Sequence, residues 1–235
     1  MSAELIEEGK KKAAIEAVKD NVEKDMILGI GSGSTVVYAL KEIATRNKNE
    51  QLNLKCVPSS FQSSQLIIEN GLPMVSLNQY PEIDLDIDGA DEIDRDLNLI
   101  KGGGGCLLQE KILASNSKKL VIIADFRKKS EKLGENWRKG IPIEVIPMAH
   151  VTVMKKLEKL GGKSKLRIAK AKMGPLITDN GNFIIDVDFG IIEIPSKLNS
   201  ELLNIPGIVD TGLFINMVSK VYIGQEDGTV LILQK

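Results

Sequence analysis

Apolar positions in the first half of the chain switch repeatedly between helical and strand spacing. Ala13, Ala14 and Ala17 recur at helical intervals, which predicts an N-terminal helix over residues 3–19. A short apolar run that starts at Met26 ends in glycines, as expected of a buried strand. The alternation continues with helices predicted at 36–46, 61–70 and 107–114 and strands at 54–57, 74–77, 85–88, 97–100 and 120–124. Alternating strands and helices are typical of βαβ units, so this half predicts a Rossmann-like, mainly parallel sheet.

The pattern changes after Leu133. We interpret the strands predicted there at 143–146, 165–169 and 183–187, with helices at 151–160 and 196–204, as part of a β-α-β-β-α-β order. This order is typical of a smaller α+β domain of the split βαβ, ferredoxin-like kind, which we assign to residues 134–206. Strands predicted at 219–224 and 229–233 are expected to rejoin the first domain. That domain is therefore predicted to comprise residues 1–133 plus 207–235.

Composition and charge narrow the functional classes. The chain has 235 residues, of which 43% are hydrophobic, enough to bury a core. Its 31 basic and 32 acidic residues leave a net charge of −1, so no overall field attracts nucleic acid or an anionic membrane. Cys56 and Cys106 match no metal-binding spacing and are expected to be reduced thiols. Because no signal peptide or membrane-length apolar run is evident, we expect a soluble, cytoplasmic enzyme.

The segment GIGSGST (29–35) links a predicted strand to a predicted helix. Backbone N–H groups and the helix dipole favour an anion at such a position, and Ser32, Ser34 and Thr35 add hydroxyl donors around Gly33. The segment lacks the lysine of a P-loop, and it has Ser34 where a dinucleotide-binding loop has its third glycine. A helix-capping turn is the alternative, but a site for a small phosphorylated ligand is the better interpretation.

A second unusual stretch, Asp84–Lys111, combines clustered aspartates, a glycine run and an isolated carboxylate, Glu110. Its start resembles a calcium-binding EF-hand loop, but the twelfth position holds Arg95 rather than the required glutamate. We therefore exclude calcium, while the aspartates alone leave a magnesium site open. The acidic loop and the glycine run both follow predicted strands, and ligands of parallel sheets bind at that end of the strands.

The chemical groups on offer favour proton transfer. His150 is the only histidine and is expected to be structural, which removes most histidine-dependent mechanisms. Glu110 can act as a general base next to a carbonyl group, and Lys101 with the glycine N–H groups can stabilise the resulting enediolate. Asp88 and Asp91 can open a sugar ring or move protons between oxygens. Isomerisation of a small sugar phosphate uses all of these groups.

Several motifs, in order, resemble the type A ribose-5-phosphate isomerase family: GIGSGST (29–35), DGADEID (88–94), KGGGG (101–105) with Glu110 and Lys111, VIPMA (145–149), TDNGN (178–182), and PGIV (206–209) with GLF (212–214). The resemblance covers nearly the whole chain. It implies interconversion of D-ribose 5-phosphate and D-ribulose 5-phosphate in the pentose phosphate pathway, without a metal or other cofactor. It also implies a homodimer or a dimer of dimers.

The same resemblance assigns roles by position. It makes Glu110 the proton acceptor, with Asp88, Asp91 and Lys101 as further catalytic groups. Gln109 stands where an arginine is frequent in the family, so this chain lacks a cation at that position. The implied substrate-binding residues are Ser32, Gly33, Ser34, Thr35, Asp88, Gly89, Ala90, Asp91, Lys101, Gly102, Gly103, Gly104, Lys128 and, by a looser match, Lys11.

Three alternatives fit the pattern less well. An amino-sugar-phosphate deaminase is expected to use a histidine, and His150 lies in the other predicted domain. A coenzyme A transferase needs its glutamate in a different motif. A non-catalytic sugar-phosphate sensor has no reason to keep Glu110 together with Lys101. The sequence therefore favours the isomerase.

Overall fold

The computed structural model describes residues 3–234. None of the helices in this range is long and apolar enough to cross a membrane. The elements, in chain order, are α1 (Ala3–Asn21), β1 (Ile27–Ile30), α2 (Val36–Glu50), β2 (Lys55–Pro58), α3 (Phe61–Glu69), β3 (Leu85–Asp88), β4 (Glu92–Ile93), β5 (Leu99–Ile100), α4 (Leu107–Ser115), β6 (Leu120–Asp125), β7 (Ile141–Val145), α5 (His150–Lys159), β8 (Lys163–Leu166), β9 (Phe183–Asp188), α6 (Pro195–Leu203), β10 (Ile208–Thr211), β11 (Leu213–Phe214), β12 (Lys220–Gly224) and β13 (Val230–Gln234).

The chain forms two compact units. The first contains the described residues up to Ala90, the segment Gln109–Arg127 and the residues from Met217 onward. The second contains Asp91–Leu108 and Lys128–Asn216. Each unit has its own sheets and its own buried apolar core.

The first unit is built on one sheet with the strand order β13-β12-β6-β3-β1-β2. Its neighbours pair in parallel except β12 and β13, which form an antiparallel pair. Buried alanines of α1 and apolar side chains of α2 pack with the central strands, which explains the run of small residues at helical spacing. The mainly parallel, Rossmann-like sheet predicted from the sequence is confirmed.

Parallel pairing decides where the first unit carries its polar loops. β1 pairs with β3, with Ile30 opposite Ile87. The carboxyl ends of parallel strands meet at the same edge of a sheet. The glycine loop that follows Ile30 and the acidic loop that begins at Asp88 therefore lie next to each other.

The second unit contains an antiparallel sheet with the strand order β10-β7-β9-β8. The chain enters at β7, then passes through α5, β8, β9, α6 and β10, which agrees with the predicted β-α-β-β-α-β order, although its last strand lies beyond the predicted domain end at residue 206. Helix α5 packs on β8 and β9 and α6 on β10, so the helices cover one face of the sheet. The split βαβ interpretation is confirmed. A small sheet of β11, β5 and β4 completes this unit.

The structure differs from the predicted elements in one strand that is absent and in three strands that were not predicted, β4, β10 and β11. Residues 74–77 form no strand, because Met74 makes a single bridge to Cys56 and Pro58, the last residue of β2, has no N–H group to continue the pairing with the residues after Met74. The two-residue strand β4 was not predicted. The preceding Asp-Gly sequence is typical of a turn, so the pattern of acidic and apolar residues did not indicate a strand there.

The units divide at different residues from the predicted boundaries at 133/134 and 206/207. Residues 91–108 belong to the second unit because β4 pairs with β5, and β5 pairs with β11, which lies more than a hundred residues later in the chain. Residues 207–216 belong to it because β10 pairs with β7. The first unit regains the chain only at Met217. Such long-range pairing leaves no local signal at a boundary.

The two cysteines provide a test of this packing. Burial raises the pKa of the Cys56 thiol to about 12, whereas Cys106 is partly exposed. The thiolate is the reactive form, so a chromogenic disulfide reagent at mildly alkaline pH should label Cys106 quickly and Cys56 only after unfolding. Cys106→Ser should abolish the fast phase and Cys56→Ser should keep it. Loss of the fast phase in Cys56→Ser would contradict the burial of that strand.

Candidate active site

The first glycine loop is held by the carboxylate of Asp88, which is 1% exposed. The Gly31 N–H donates to the Ile87 carbonyl at 3.0 Å, and a Cβ atom at Gly31 would lie only 2.0 Å from Asp88 Oδ1. The same Oδ1 atom accepts the N–H of Ser32 at 3.1 Å and that of Gly89 at 2.7 Å. Glycine is therefore required at position 31, because any side chain would displace the carboxylate that orders both loops.

A lysine of α1 lies against this loop. Lys10 Nζ donates to Ser34 Oγ at 3.1 Å and to the Glu7 carboxylate at 2.6 Å, and the Lys10 side chain is only 12% exposed. The next residue, Thr35, occupies the N-cap position of α2. Helix N-termini bind anions through their unpaired N–H groups and their dipole. An ammonium group, two hydroxyl-bearing residues and a helix start together make a phosphate-binding arrangement.

Glu7 and Tyr38 fix the position of Lys10. The Tyr38 hydroxyl donates to Glu7 Oε2 at 2.8 Å. Hydrogen bonds from Lys10 and Tyr38 lower the pKa of Glu7, and the bond to Glu7 raises the pKa of Tyr38. Both shifts keep Glu7 ionised and Tyr38 protonated near neutral pH. The ammonium group of Lys10 is thereby held at the loop.

Ser32 belongs to a cluster of serine hydroxyl groups at the start of α3. Its Oγ atom donates to Ser60 Oγ at 2.6 Å and lies 3.0 Å from Ser59 Oγ. The Gly33 N–H donates to the side-chain oxygen of Gln62 at 2.8 Å. These contacts support the loop from the side of α3. Ser32 and Gly33 stay predicted ligands, but the groups named here are already engaged within the protein.

Glu110 lies in the first turn of α4 and is 5% exposed. On the same helix, Leu113 packs with Val57 and Ile83 in a small apolar cluster, which anchors the helix in the first unit. The positive end of a helix dipole favours a negative charge in the first turn. The carboxylate is thus shielded from water and lies near the positive end of the helix dipole, a setting that suits a general base.

The second glycine loop is a backbone turn that follows Lys101, a lysine that is 3% exposed. The Lys101 N–H donates to the Gly212 carbonyl at 2.8 Å, and its Nζ atom lies 5.4 Å from the centroid of the Phe214 ring. Gly102 has a φ angle of 96°, and its carbonyl accepts the Gly105 N–H at 3.0 Å. Such a φ angle favours glycine, which explains part of the run.

Asp91 and Trp137 lie against the tip of the second glycine loop. The Gly103 N–H donates to Asp91 Oδ2 at 2.6 Å, and a Cβ atom at Gly103 would lie 2.9 Å from the Trp137 ring. Lys128 Nζ is 5.5 Å from the centroid of that ring. The buried Glu92 accepts the Trp137 N–H at 3.3 Å. The second unit therefore brings together the predicted residues Asp91, Gly103 and Lys128, and adds an aromatic ring that no motif had indicated.

Lys10 was missed by the sequence analysis, which named its neighbour Lys11. Lys10 contacts the first glycine loop, whereas Lys11 is exposed. Lys10 precedes Ala13, Ala14 and Ala17 at helical spacing, and all three alanines are buried. The row of small apolar residues in the sequence was the signal that Lys10, on the same side of the helix, faces the protein interior. The role of Lys11 as a substrate-binding residue stays a prediction.

His150 and the acidic residues make no metal centre that the structure reveals. His150 lies at the start of α5, with Nδ1 2.7 Å from the Pro147 carbonyl and its ring 5.7 Å from that of Phe183. These contacts agree with the structural role predicted for it. Across residues 3–234, no group of three or more histidine, cysteine, aspartate or glutamate side chains is placed to hold a metal ion.

Fold and loops together define an α/β protein with an anion-binding arrangement and a buried glutamate. Residues 55–228 match the family described as ribose 5-phosphate isomerase A (phosphoriboisomerase A), so the chain belongs to that family.

Individual relatives agree with this assignment. The ribose-5-phosphate isomerase of Sus scrofa is 56% identical over 230 residues, which cover 97% of this chain and 75% of that protein. The solved structure of ribose 5-phosphate isomerase A from Methanocaldococcus jannaschii has a TM-score of 0.90 at 43% identity, with 96% of this chain and 98% of that chain covered. A D-ribose-5-phosphate isomerase in complex with phospho-erythronic acid has a TM-score of 0.94 at 40% identity, with both chains fully covered.

Adjacent glycines test the geometry of the second loop. A Cβ atom at Gly103 would lie 2.6 Å from Asp91 Oδ1, whereas one at Gly104 would meet no atom within 4 Å. Gly103→Ala should lower the free energy of unfolding by about 1–3 kcal/mol through overpacking. Gly104→Ala should stay within about 1 kcal/mol of the wild type. Urea denaturation of both variants measures the difference, and equal stabilities would show that Asp91 does not pack on Gly103.

Proposed function

We propose that this protein interconverts D-ribose 5-phosphate and D-ribulose 5-phosphate through an enediolate. The observation that carries the proposal is its likeness, over the full length of both chains, to a D-ribose-5-phosphate isomerase in complex with phospho-erythronic acid. Phospho-erythronic acid is a phosphorylated sugar acid whose planar carboxylate has the charge and shape of the two enediolate oxygens. Enzymes bind such mimics tightly because their sites are complementary to the transition state.

Glu110 acts as the general base in this proposal. It removes the proton from carbon 2 of the aldose and returns it to carbon 1, which forms the ketose. Its burial and its place in the first turn of α4 support the role, because burial limits the access of water and the positive end of the helix dipole lies close to the carboxylate. No imidazole is available for this task, because His150 is the only histidine in the sequence and its ring is bonded to the Pro147 carbonyl.

Lys101 stabilises the negative charge that develops on the oxygen of carbon 1. Its side chain is 3% exposed, so its ammonium group acts in a medium where charges interact more strongly than in water. The N–H groups of the second glycine loop serve the same purpose. Preorganised donors of this kind are usually the largest single contribution to catalysis of such reactions.

Asp88 and Asp91 move the remaining protons. The sugar ring must open before isomerisation, and a proton must pass from the oxygen of carbon 2 to that of carbon 1. Both carboxylates are held by backbone N–H groups, Asp88 by those of Ser32 and Gly89 and Asp91 by that of Gly103. Fixed carboxylates suit proton shuttling, because they need no reorganisation during the reaction.

The first glycine loop binds the phosphate group. Ser34, Thr35 and the start of α2 supply hydroxyl and N–H donors, and Lys10 supplies the charge. Ser32, Gly33, Gly89, Ala90, Gly102, Gly104, Lys128 and Lys11 complete the predicted substrate contacts.

We further propose a homodimer or dimer of dimers, a cytoplasmic location and a reaction without metal or cofactor. The free thiols of Cys56 and Cys106 support a reducing compartment.

Replacement of the base is the direct test of the mechanism. Glu110→Gln should lower kcat by about 10²–10⁴-fold, because general base catalysis typically contributes that much. Affinity for phospho-erythronic acid, measured by calorimetry, should stay near that of the wild type, since the amide keeps the shape of the side chain. The exposed Glu69→Gln on α3 serves as the control and should turn over normally. Near-normal turnover of Glu110→Gln would overturn the assignment of the base.

A pair of neighbouring variants identifies the lysine that meets the phosphate. Lys10→Met should raise the KM for ribose 5-phosphate about tenfold or more, because a hydrogen bond to a charged group contributes about 1.5–3 kcal/mol. Lys11→Met should change KM less than about twofold, as expected of an exposed charge. Steady-state kinetics at low ionic strength measures both. If only Lys11→Met raises KM, Lys11 is the ligand and Lys10 has a structural role.

A further inference from the structure

Arg167 contacts the backbone of the second glycine loop from the antiparallel sheet of the same unit. Its Nη1 atom donates to the carbonyl of Gly102 at 2.9 Å and to that of Gly103 at 3.2 Å. The Arg167 side chain is only 15% exposed. A cation that far from water forms hydrogen bonds stronger than those of a neutral donor.

The guanidinium group is itself fixed by Asp186 of β9. Nε donates to Asp186 Oδ2 at 2.8 Å, and Nη2 is bonded to Oδ1 of the same carboxylate. The backbone N–H of Arg167 also donates to the Ile184 carbonyl at 2.8 Å, which continues the pairing of β8 with β9. The sheet thus sets the position of the planar fork. A lysine has no second and third donor in a fixed plane, so it cannot reproduce this arrangement.

Peptide planarity transmits the effect to the opposite side of the loop. In a trans peptide, the C=O of one residue and the N–H of the next point in opposite directions. Because the carbonyls of Gly102 and Gly103 face Arg167, the N–H groups of Gly103 and Gly104 face away from it. The Gly103 N–H does so, since it donates to Asp91 Oδ2 at 2.6 Å.

We propose that Arg167, held by Asp186, is a positioning residue that turns the two peptide groups of the second glycine loop so that their N–H groups face the reacting oxygens and Asp91. The inference rests on the proposed function, in which this loop stabilises the enediolate. The guanidinium group also keeps the two carbonyl oxygens turned away from the developing negative charge, which they would otherwise repel.

Arg46 provides a matched control within the same chain. It is ion-paired with Glu50, and its Nη1 atom donates to two backbone carbonyls, Val18 at 2.9 Å and Val22 at 3.1 Å. Its side chain is 17% exposed, close to the 15% of Arg167. The bonded carbonyls of Arg46 end a helix rather than a glycine loop. A purely structural role predicts the same consequences for both arginines.

The experiment compares Arg167→Lys and Asp186→Asn with Arg46→Lys in the full chain. Wild-type isomerase activity is measured first. If the wild type has none, the proposed function is refuted, and so is the inference that rests on it. Arg167→Lys should lower kcat about tenfold to a hundredfold, as expected of a small displacement at a reacting centre, with KM changed less than about threefold. Asp186→Asn should also lower kcat, but by a smaller factor than Arg167→Lys does. Arg46→Lys should leave kcat within about twofold of wild type.

Two further readouts separate positioning from stability. The inhibition constant of phospho-erythronic acid should rise in Arg167→Lys in parallel with the loss of kcat/KM, because a mimic of the intermediate relies on the same donors. Guanidinium ion at concentrations well below those that unfold proteins should restore part of the kcat of Arg167→Ala and none of that of Arg46→Ala. Unchanged kcat in Arg167→Lys, or equal losses at both arginines, would overturn the inference.

Discussion

The packing of buried carboxylates against glycines is the constraint on which the first unit depends. Strand β3 places Asp86 beside Gly29 of β1 and Asp88 beside Gly31, which follows β1; a Cβ atom at these glycines would lie 2.7 and 2.0 Å from the respective carboxylate oxygens. The absence of a side chain at the two glycines lets the strands pair while both acids stay buried. Asp88 then orders the N–H groups of the two following loops. A larger residue at Gly31 would disturb the proposed phosphate-binding loop and the proposed catalytic carboxylate together.

The second unit orders its glycine loop by a different means. There the carbonyl groups are held by a cation, Arg167, and an N–H group is held by the carboxylate of Asp91. Glycine is again needed where a neighbour approaches closely, as Asp91 and Trp137 do at Gly103. In both units, the backbone presents N–H groups of fixed direction, which is the property that binding of phosphate and stabilisation of an enediolate have in common.

The sequence was sufficient for features that depend on local spacing. The helices, the parallel strands, the split βαβ order and both glycine loops follow from short patterns of apolar residues and glycines, and the structure confirms them. The predicted strand at 74–77 was wrong, because Pro58 at the end of β2 has no N–H group to continue the pairing beyond one bridge. Contacts across long stretches of chain could not be predicted: Arg167 is 64 residues from Gly103, and Lys10 is 24 residues from Ser34. Such partners are set by tertiary packing rather than by local pattern.

The destination of the proton removed from carbon 2 tests the proposed enediolate mechanism most directly. Ribose 5-phosphate is incubated with the protein in D₂O, and the product is examined by proton and deuterium NMR. An enediolate formed by a carboxylate base predicts deuterium at carbon 1 in part of the ribulose 5-phosphate, because the proton held by the base exchanges with solvent in a fraction of the turnovers. Ketose without any deuterium at carbon 1 would indicate a direct hydride shift and contradict the mechanism, and the absence of ketose would contradict the function.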